Sequence, residues 1–147
     1  MPHTNIIESE DALAEIVRTM RTVAVVGMKD EKRADAAAHA IPRMLHERGV
    51  TIIPINPTIT SALGIPALRS VEDLDRRVDV LDVFRRSEAI PALAEEILLL
   101  PRDRRPGVVW FQSGIRNDAA AEKLAAEGIR VVQDRCLGVY AARHLKA

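Results

Sequence analysis

Aromatic residues are scarce in this chain of 147 residues: they make up 3% of it, as one Trp, one Tyr and two Phe. Proteins that stack the bases of single-stranded nucleic acids use arrays of aromatic side chains. Lys plus Arg and Asp plus Glu are equal at 21 each, so the formal net charge is zero. Because a domain that binds duplex nucleic acid usually carries a basic excess, we expect no nucleic-acid partner.

Cysteine is nearly absent too. The single Cys136 excludes an internal disulfide and predicts a reducing compartment. No apolar run approaches the ~18 residues that a membrane-spanning helix needs. The first residues, 1–11, are polar and acidic rather than basic and then apolar, which is not the pattern of a secretion signal. We therefore expect a cytoplasmic protein without a membrane segment.

What the chain does contain is typical of a folded protein, with 48% hydrophobic and 29% charged residues, close to globular averages. Its length fits one domain. We expect residues 1–147 to form a single domain with a core over about 20–145 and an N-terminal helix over 9–20.

Short runs rich in Val and Ile alternate with longer amphipathic segments. The runs predict strands over 22–26, 50–55, 78–83, 108–111 and 129–132. The segments between them predict helices over 9–20, 34–48, 87–100, 117–128 and 137–144. This alternation predicts an α/β fold: a doubly wound, mainly parallel five-stranded sheet with helices on both faces, Rossmann-like. Pro42 should kink the second helix or delay its start. Ser87 should cap the helix predicted over 87–100.

Ligands of open parallel sheets bind beyond the carboxyl ends of the strands. Polar, glycine and cationic residues gather where these five strands end. In chain order they are Gly27, Met28 and Lys29; Asn56 and Pro57; Phe84, Arg85, Arg86 and Ser87; Gln112, Ser113 and Gly114; and Asp134, Arg135 and Cys136. This pattern predicts a binding site at that edge.

The first of these loops has the composition of a phosphate site. Gly27 follows a strand, a helix begins behind it, and Lys29, Lys32 and Arg33 supply positive charge. The loop has neither of the glycine-rich phosphate motifs G-x-G-x-x-G and G-x-x-x-x-G-K-[ST]. The second strand ends in Asn56 instead of the acid that usually takes the ribose hydroxyls of NAD. These features argue against a standard NAD site but not against another nucleotide.

Arg85 and Arg86 leave two interpretations open. Their guanidinium groups would suit bidentate binding of a phosphate. The alternative is a structural ion pair with Asp82 or Glu88.

The remaining reactive side chains indicate no chemistry. His39 and His46 are seven residues apart, which predicts surface histidines and no metal pair. Cys136 follows Arg135, so its thiol is either a reactive group or a small buried side chain. We find no catalytic triad, no paired carboxylates and no metal-ligand set, and we predict no catalytic residue.

Five strings in order carry a resemblance: VAVVGM, IIPINP, VDVLDVFRRSEAIP, VVWFQSGIRND and VVQDRCLGVYAAR. With this spacing, the stretch from about Met20 to Leu145 resembles the small stand-alone coenzyme A-binding proteins. These are Rossmann-like domains similar to the N-terminal domain of the succinyl-CoA synthetase α subunit. In the first loop, GMKDEKRADAAAH departs from the relatives' Gly-Leu-Ser-x-x-Pro-x-Arg and lacks its serine and proline.

The resemblance implies coenzyme A, or an acyl-CoA, across the carboxyl edge. It implies that the pyrophosphate and 3′-phosphate lie near Gly27, Met28, Lys29, Lys32 and Arg33. The nucleotide would lie beside Asn56 and Pro57, with its adenine side at Val83, Phe84 and Arg85. The pantetheine arm would lie near Gln112, Ser113, Gly114, Asp134, Arg135 and Cys136. The phosphorylated histidine and nucleotide-handling parts of the ligases lie in further domains. We therefore expect binding without catalysis, alone or in a homo-oligomer or with a partner protein.

Two other functions stay open. One is an NAD-binding redox sensor or oxidoreductase-like domain, which would need an acid where Asn56 stands. The other is a thiol function, in which Cys136 forms a mixed disulfide with the coenzyme A thiol.

Overall fold

The computed structural model describes residues 2–146. Its elements in chain order are α1 (Glu10–Thr19), β1 (Thr22–Val26), α2 (Ala37–Glu47), β2 (Thr51–Ile55), β3 (Ser61–Ala62), β4 (Ile65–Pro66), β5 (Val80–Val83), α3 (Ile90–Leu99), β6 (Val108–Phe111), α4 (Asp118–Ala126), β7 (Arg130–Val132) and α5 (Leu137–His144).

Five strands form one parallel sheet in the order β2-β1-β5-β6-β7. This confirms the predicted α/β class. Strands β3 and β4 form a separate antiparallel hairpin, which lies between β2 and β5 in the sequence. The outer edge of β7 is covered by the N-terminal segment, since the Ile7 N–H donates to the Val131 carbonyl and the Val131 N–H to the Asn5 carbonyl. Such pairing protects an edge strand from pairing with another chain.

Alternate side chains of each strand enter two separate cores, one on each face of the sheet. In β1, Ala24 and Val26 face the layer of α3 and α4. Val23 and Val25 face the layer of α1, α2 and α5. Both faces are therefore buried, which explains why the strands are nearly uninterrupted runs of apolar residues.

Pro42 lies inside α2, which begins at Ala37, three residues later than predicted. A proline has no N–H to bond the carbonyl four residues earlier, which here belongs to Ala38. That carbonyl accepts the backbone N–H of Lys29 at 3.2 Å instead. The proline thus frees an acceptor that fastens the loop after β1.

The prediction that Ser87 caps a helix is wrong. A 3₁₀ turn, Ser87–Ala89, precedes α3, and its N-cap residue makes no side-chain capping bond. The Ser87 hydroxyl accepts the N–H of Arg116 at 3.1 Å, because the loop after β6 lies against this turn. By contrast, the side chains of Ser9 and Asn117 cap α1 and α4. Within residues 2–146, no helix combines the length and apolarity needed to cross a bilayer.

Candidate functional site

The strand order reverses direction between β1 and β5, and their carboxyl ends meet at Gly27 and Phe84. Gly27 has φ +81°, and a Cβ on it would lie 2.3 Å from the carbonyl oxygen of Phe84. Its N–H donates to the Ile55 carbonyl at 2.8 Å. Only glycine fits this position, which lies at the switch point where open α/β sheets bind their ligands.

The loop after Gly27 is held in place by the buried side chain of Met28 and by a hydrogen bond from Asn56, at the end of β2. Met28 is fully buried, so its side chain belongs to the core and only its backbone borders the edge. Its carbonyl accepts Nδ2 of Asn56 at 2.9 Å. Lys29 is half-buried, whereas Lys32 and Arg33 are exposed. None of these three cations forms an ion pair within the described part of the chain, so their charges are available to an anion.

The side chain of Asn56 makes three hydrogen bonds within the protein, one from Nδ2 and two to Oδ1. In addition to the bond to Met28, its Oδ1 accepts the N–H and the hydroxyl of Thr58 at 2.9 and 2.7 Å. It is buried, whereas its neighbour Pro57 is exposed. The residue at the end of β2 therefore shapes the first loop and presents no carboxylate to a ribose.

Arg85 and Arg86 line an open groove of about 420 Å³ at the ends of β5 and β6. Among residues 2–146, neither guanidinium pairs with an acid. The interpretation that they pair with Asp82 or Glu88 is therefore wrong, because Asp82 is buried inside the sheet and bonds Gln112 instead. The groove is also lined by Phe84, Ser87, Glu88, Ser113, Gly114 and Ile115.

The far wall of the groove is the loop after β6, and its shape depends on Asp134. The Gly114 N–H donates to Oδ1 of Asp134 at 2.6 Å. Asp134 has φ +55°, a left-handed conformation that Asp tolerates better than most residues. The Asp134 N–H also bonds the Ile115 carbonyl at 3.1 Å. The loops after β6 and β7 are thus joined into one rigid unit.

Asp82 is completely buried in β5 under this edge. Its Oδ1 accepts Nε2 of Gln112 at 2.7 Å, and its Oδ2 has no hydrogen-bond partner among the described residues. Burial raises the pKa of Asp82 to about 7, and the bond from Gln112 opposes that rise. Gln112 is therefore tied to the sheet interior, and the Gln112 amide nitrogen faces Asp82 rather than the edge.

Arg135 and Cys136 follow β7, in the connection that leads to α5. The Arg135 guanidinium lies 3.3 Å from the Tyr140 hydroxyl and 3.6 Å from the Glu10 carboxylate, so it faces α1. Cys136 is a half-buried free thiol at the N-cap of α5. Neither residue lines the groove at the ends of β5 and β6.

The predicted site residues thus form two groups. Phe84, Arg85, Ser113 and Gly114 meet in the groove, next to Val83, which is buried at the end of β5. Gly27, Lys29, Lys32 and Arg33 form the loop across the switch point. Arg135 belongs to neither group.

Sequence reasoning missed one contributor to this edge, Glu31 in the first loop, and misplaced one histidine. Ser87, expected at the end of the third predicted strand, lies in the groove. His39 is not a surface residue: it is 2% exposed, and its Nε2 bonds Oε2 of Glu31 at 2.9 Å. The signal for burial is its place beside Ala38 and Pro42 on the inner face of α2; His46 is exposed, as predicted.

Comparison with known proteins agrees with this geometry. YneT of Bacillus subtilis (strain 168), described as an uncharacterized protein, is 37% identical over 131 residues, 89% of this chain and 93% of YneT. A solved structure from Thermus thermophilus is 37% identical, with a TM-score of 0.83 over 92% of this chain and 98% of that one. A hypothetical protein from Pyrococcus horikoshii OT3 is 26% identical, with a TM-score of 0.81 over 99% and 100% of the two chains.

A family model described as a CoA binding domain matches residues 21–142. That range includes β1, the switch point, the groove and most of α5. The resemblance read from the sequence strings is confirmed: the chain belongs to the CoA-binding domain family.

Proposed function

We propose that this protein binds coenzyme A or an acyl-CoA across the carboxyl edge of its sheet, without catalysing a reaction on it. The observation that carries the proposal is the pair Arg85 and Arg86, which line an open groove at the ends of β5 and β6 and form no ion pair within residues 2–146. Cations without a partner beside a groove favour an anionic ligand.

The size and charge of the edge suit a long ligand with phosphates at one end. Lys29, Lys32 and Arg33 add positive charge on one side of Gly27, and the arginine pair adds it on the other. Beyond them the wall consists of small residues, Ser113 and Gly114. We place the phosphates among the cations and the pantetheine arm along Ser113 and Gly114, towards Cys136.

The structure gives less support to an NAD site. Such a site usually has an acid at the end of the second strand, which binds the ribose hydroxyls. Here that residue is Asn56, and its amide is already bonded to Met28 and Thr58. A rearrangement would have to break these bonds before the side chain could reach a ribose.

The location and assembly of the protein form part of the same proposal. A free Cys136 thiol suits the reducing cytoplasm. The ligand is a small molecule, and the groove lies within one chain, so the proposed site needs no second subunit.

Binding to a set of related ligands tests the proposal. Equilibrium dialysis should show retention of coenzyme A and acetyl-CoA and weaker retention of dephospho-coenzyme A, which lacks the 3′-phosphate. NAD serves as the control dinucleotide. Equal retention of NAD and coenzyme A would contradict the proposal, because the cations would then be recognising any pyrophosphate.

A further inference from the structure

Glu31 is an acidic residue in the middle of a cationic loop. Its Oε2 accepts two hydrogen bonds, from Nε2 of His39 at 2.9 Å and from the backbone N–H of Leu63 at 2.8 Å. One oxygen thus joins three elements: the loop after β1, helix α2 and the β3–β4 hairpin. We call these two bonds the Glu31 clasp.

Both donors of the clasp have few alternatives. His39 is 2% exposed, and its Nδ1 has no hydrogen-bond partner among the described residues, so the Glu31 bond is its one polar contact. Leu63 has φ +55° and is followed by Gly64 with φ +73°, the two positive φ values of a type I′ hairpin turn. A leucine is strained in that conformation, and the bond to Glu31 helps to hold it there.

Electrostatics keep the clasp intact at neutral pH. The bond from His39, followed by that from Leu63, holds the pKa of Glu31 below its ordinary value, and burial opposes the shift only weakly. The carboxylate therefore stays charged. Its charge is directed to the two donors, which reduces its repulsion of an anion beside Lys29, Lys32 and Arg33.

The clasp completes the anchoring of the first loop. At the start of that loop, Asn56 holds the Met28 carbonyl and Ala38 holds the Lys29 N–H. Further along, the bonds of Asp30 stay within the loop: its carboxylate accepts the N–H of Lys32 and its carbonyl accepts the N–H of Arg33. Lys32 and Arg33 follow Glu31 in one 3₁₀ turn, Glu31–Arg33, so the direction in which they project depends on where Glu31 is held.

We propose that Glu31 is a positioning residue for the ligand: by clasping the first loop to α2 and to the β3–β4 hairpin, it fixes where Lys32 and Arg33 meet the ligand phosphates. This inference rests on the proposed binding of coenzyme A. Glu31 itself does not contact the ligand.

The test compares Glu31→Ala with Glu31→Gln. The alanine removes both bonds, whereas a glutamine oxygen accepts the same two donors. Glu15→Ala is the matched control, because Glu15 is an exposed glutamate whose one ion pair within residues 2–146 is with Arg18, on the same face of α1. For each variant we would measure coenzyme A affinity by calorimetry, exchange of the Leu63 amide by NMR and the melting temperature.

We expect Glu31→Ala to lose at least about tenfold in affinity and to expose the Leu63 amide to exchange. Glu31→Gln should lie close to the parent in both, and Glu15→Ala should equal it. In the parent, added coenzyme A should slow exchange of the Leu63 amide further.

The possible outcomes distinguish a failure of the Glu31 inference from a failure of the proposed coenzyme A binding. A Glu31→Ala variant with a rapidly exchanging Leu63 amide and the parent's affinity would overturn the inference and leave the proposed function standing. A parent chain that does not bind coenzyme A would overturn the proposed function, and the inference with it. If Glu31→Ala loses affinity only in proportion to a general loss of stability that also exposes core amides, the role is structural and the inference fails.

Discussion

Gly27 and Phe84 approach so closely that a Cβ atom on Gly27 would lie 2.3 Å from the carbonyl oxygen of Phe84. This contact joins the ends of β1 and β5 at the switch point of the sheet. It leaves no space for any side chain at the first turn.

Replacement of Gly27 therefore gives the first prediction. Gly27→Ala adds a backbone clash to the cost of a positive φ, so we expect it to destabilise the fold by about 3 kcal/mol or more and to abolish coenzyme A binding. Gly49→Ala is the control, because Gly49 has φ +91° with nothing near its would-be Cβ. It should cost about 1 kcal/mol and leave binding unchanged. Urea denaturation measures the free energy of unfolding of both variants. Equal losses of stability would show that the contact with Phe84 adds nothing to the cost of replacing Gly27.

The arginines of the groove give the second prediction. Arg85→Ala and Arg86→Ala should each weaken coenzyme A binding by about 1–3 kcal/mol, or roughly 5- to 150-fold, because each removes a cation that forms no ion pair with the rest of residues 2–146. Arg76→Ala is the control, since Arg76 pairs with Asp75 at the opposite edge of the sheet. Calorimetric titration at two salt concentrations provides the test. If the Arg85 and Arg86 variants bind like the parent, the phosphates lie elsewhere.

Buried Asp82 makes stability depend on pH with a definite sign. The pKa of Asp82 is about 7 in the folded chain, whereas the ordinary pKa of an aspartate, which applies to the unfolded chain, is 3.8. Between these two pH values the folded state therefore holds a proton that the unfolded state has lost. The free energy of unfolding should therefore fall as pH rises from about 4 to 7 through this group.

Asp82→Asn tests that dependence. An asparagine keeps the acceptor for Gln112 and carries no charge, so the variant should lose the Asp82 share of the pH dependence. At pH 8 it should exceed the parent in stability, by at most about 4 kcal/mol. Urea denaturation between pH 5 and pH 8 measures this. A parallel pH dependence in the parent and the variant would show that Asp82 is not the titrating group.

Substitution of Cys136 distinguishes reversible binding of coenzyme A from a covalent reaction at the thiol. We expect reversible binding, so Cys136→Ser should bind coenzyme A as the parent does, and coenzyme A disulfide should leave no lasting adduct on either. In the thiol alternative, the Cys136 thiolate attacks the disulfide, one coenzyme A leaves as a thiol and the other stays attached as a mixed disulfide. Intact-mass measurement detects that adduct, and its presence in the parent but not in Cys136→Ser would establish the thiol function.

The architecture was predictable because it follows from local patterns. β1, β6 and α5 have the predicted bounds, since each is an apolar run or amphipathic segment between clear turn residues. The β3–β4 hairpin was not predicted, because its strands have two residues each and its turn places a leucine at a positive φ. No periodicity indicates so short an element.

The site was predictable at the level of loops but not of side chains. That Arg85 and Gly114 meet in one groove follows from parallel strands ending at a common edge. That Arg135 turns towards Glu10 and that Ser87 bonds Arg116 depends on contacts between residues far apart in sequence. Glu31 and His39 are closer in sequence, but their bond depends on how the irregular loop between β1 and α2 folds back on the helix. Sequence spacing carries no information on those distances.

The central claim is that coenzyme A binds at the carboxyl edge, and calorimetric titration of the purified chain with coenzyme A, beside NAD, tests it most directly. We predict saturable binding of coenzyme A with one ligand per chain, weakened by Arg85→Ala, and much weaker binding of NAD. Heat from NAD with none from coenzyme A would contradict the claim and favour the redox function. No heat from either would show that the altered first loop does not bind the phosphates.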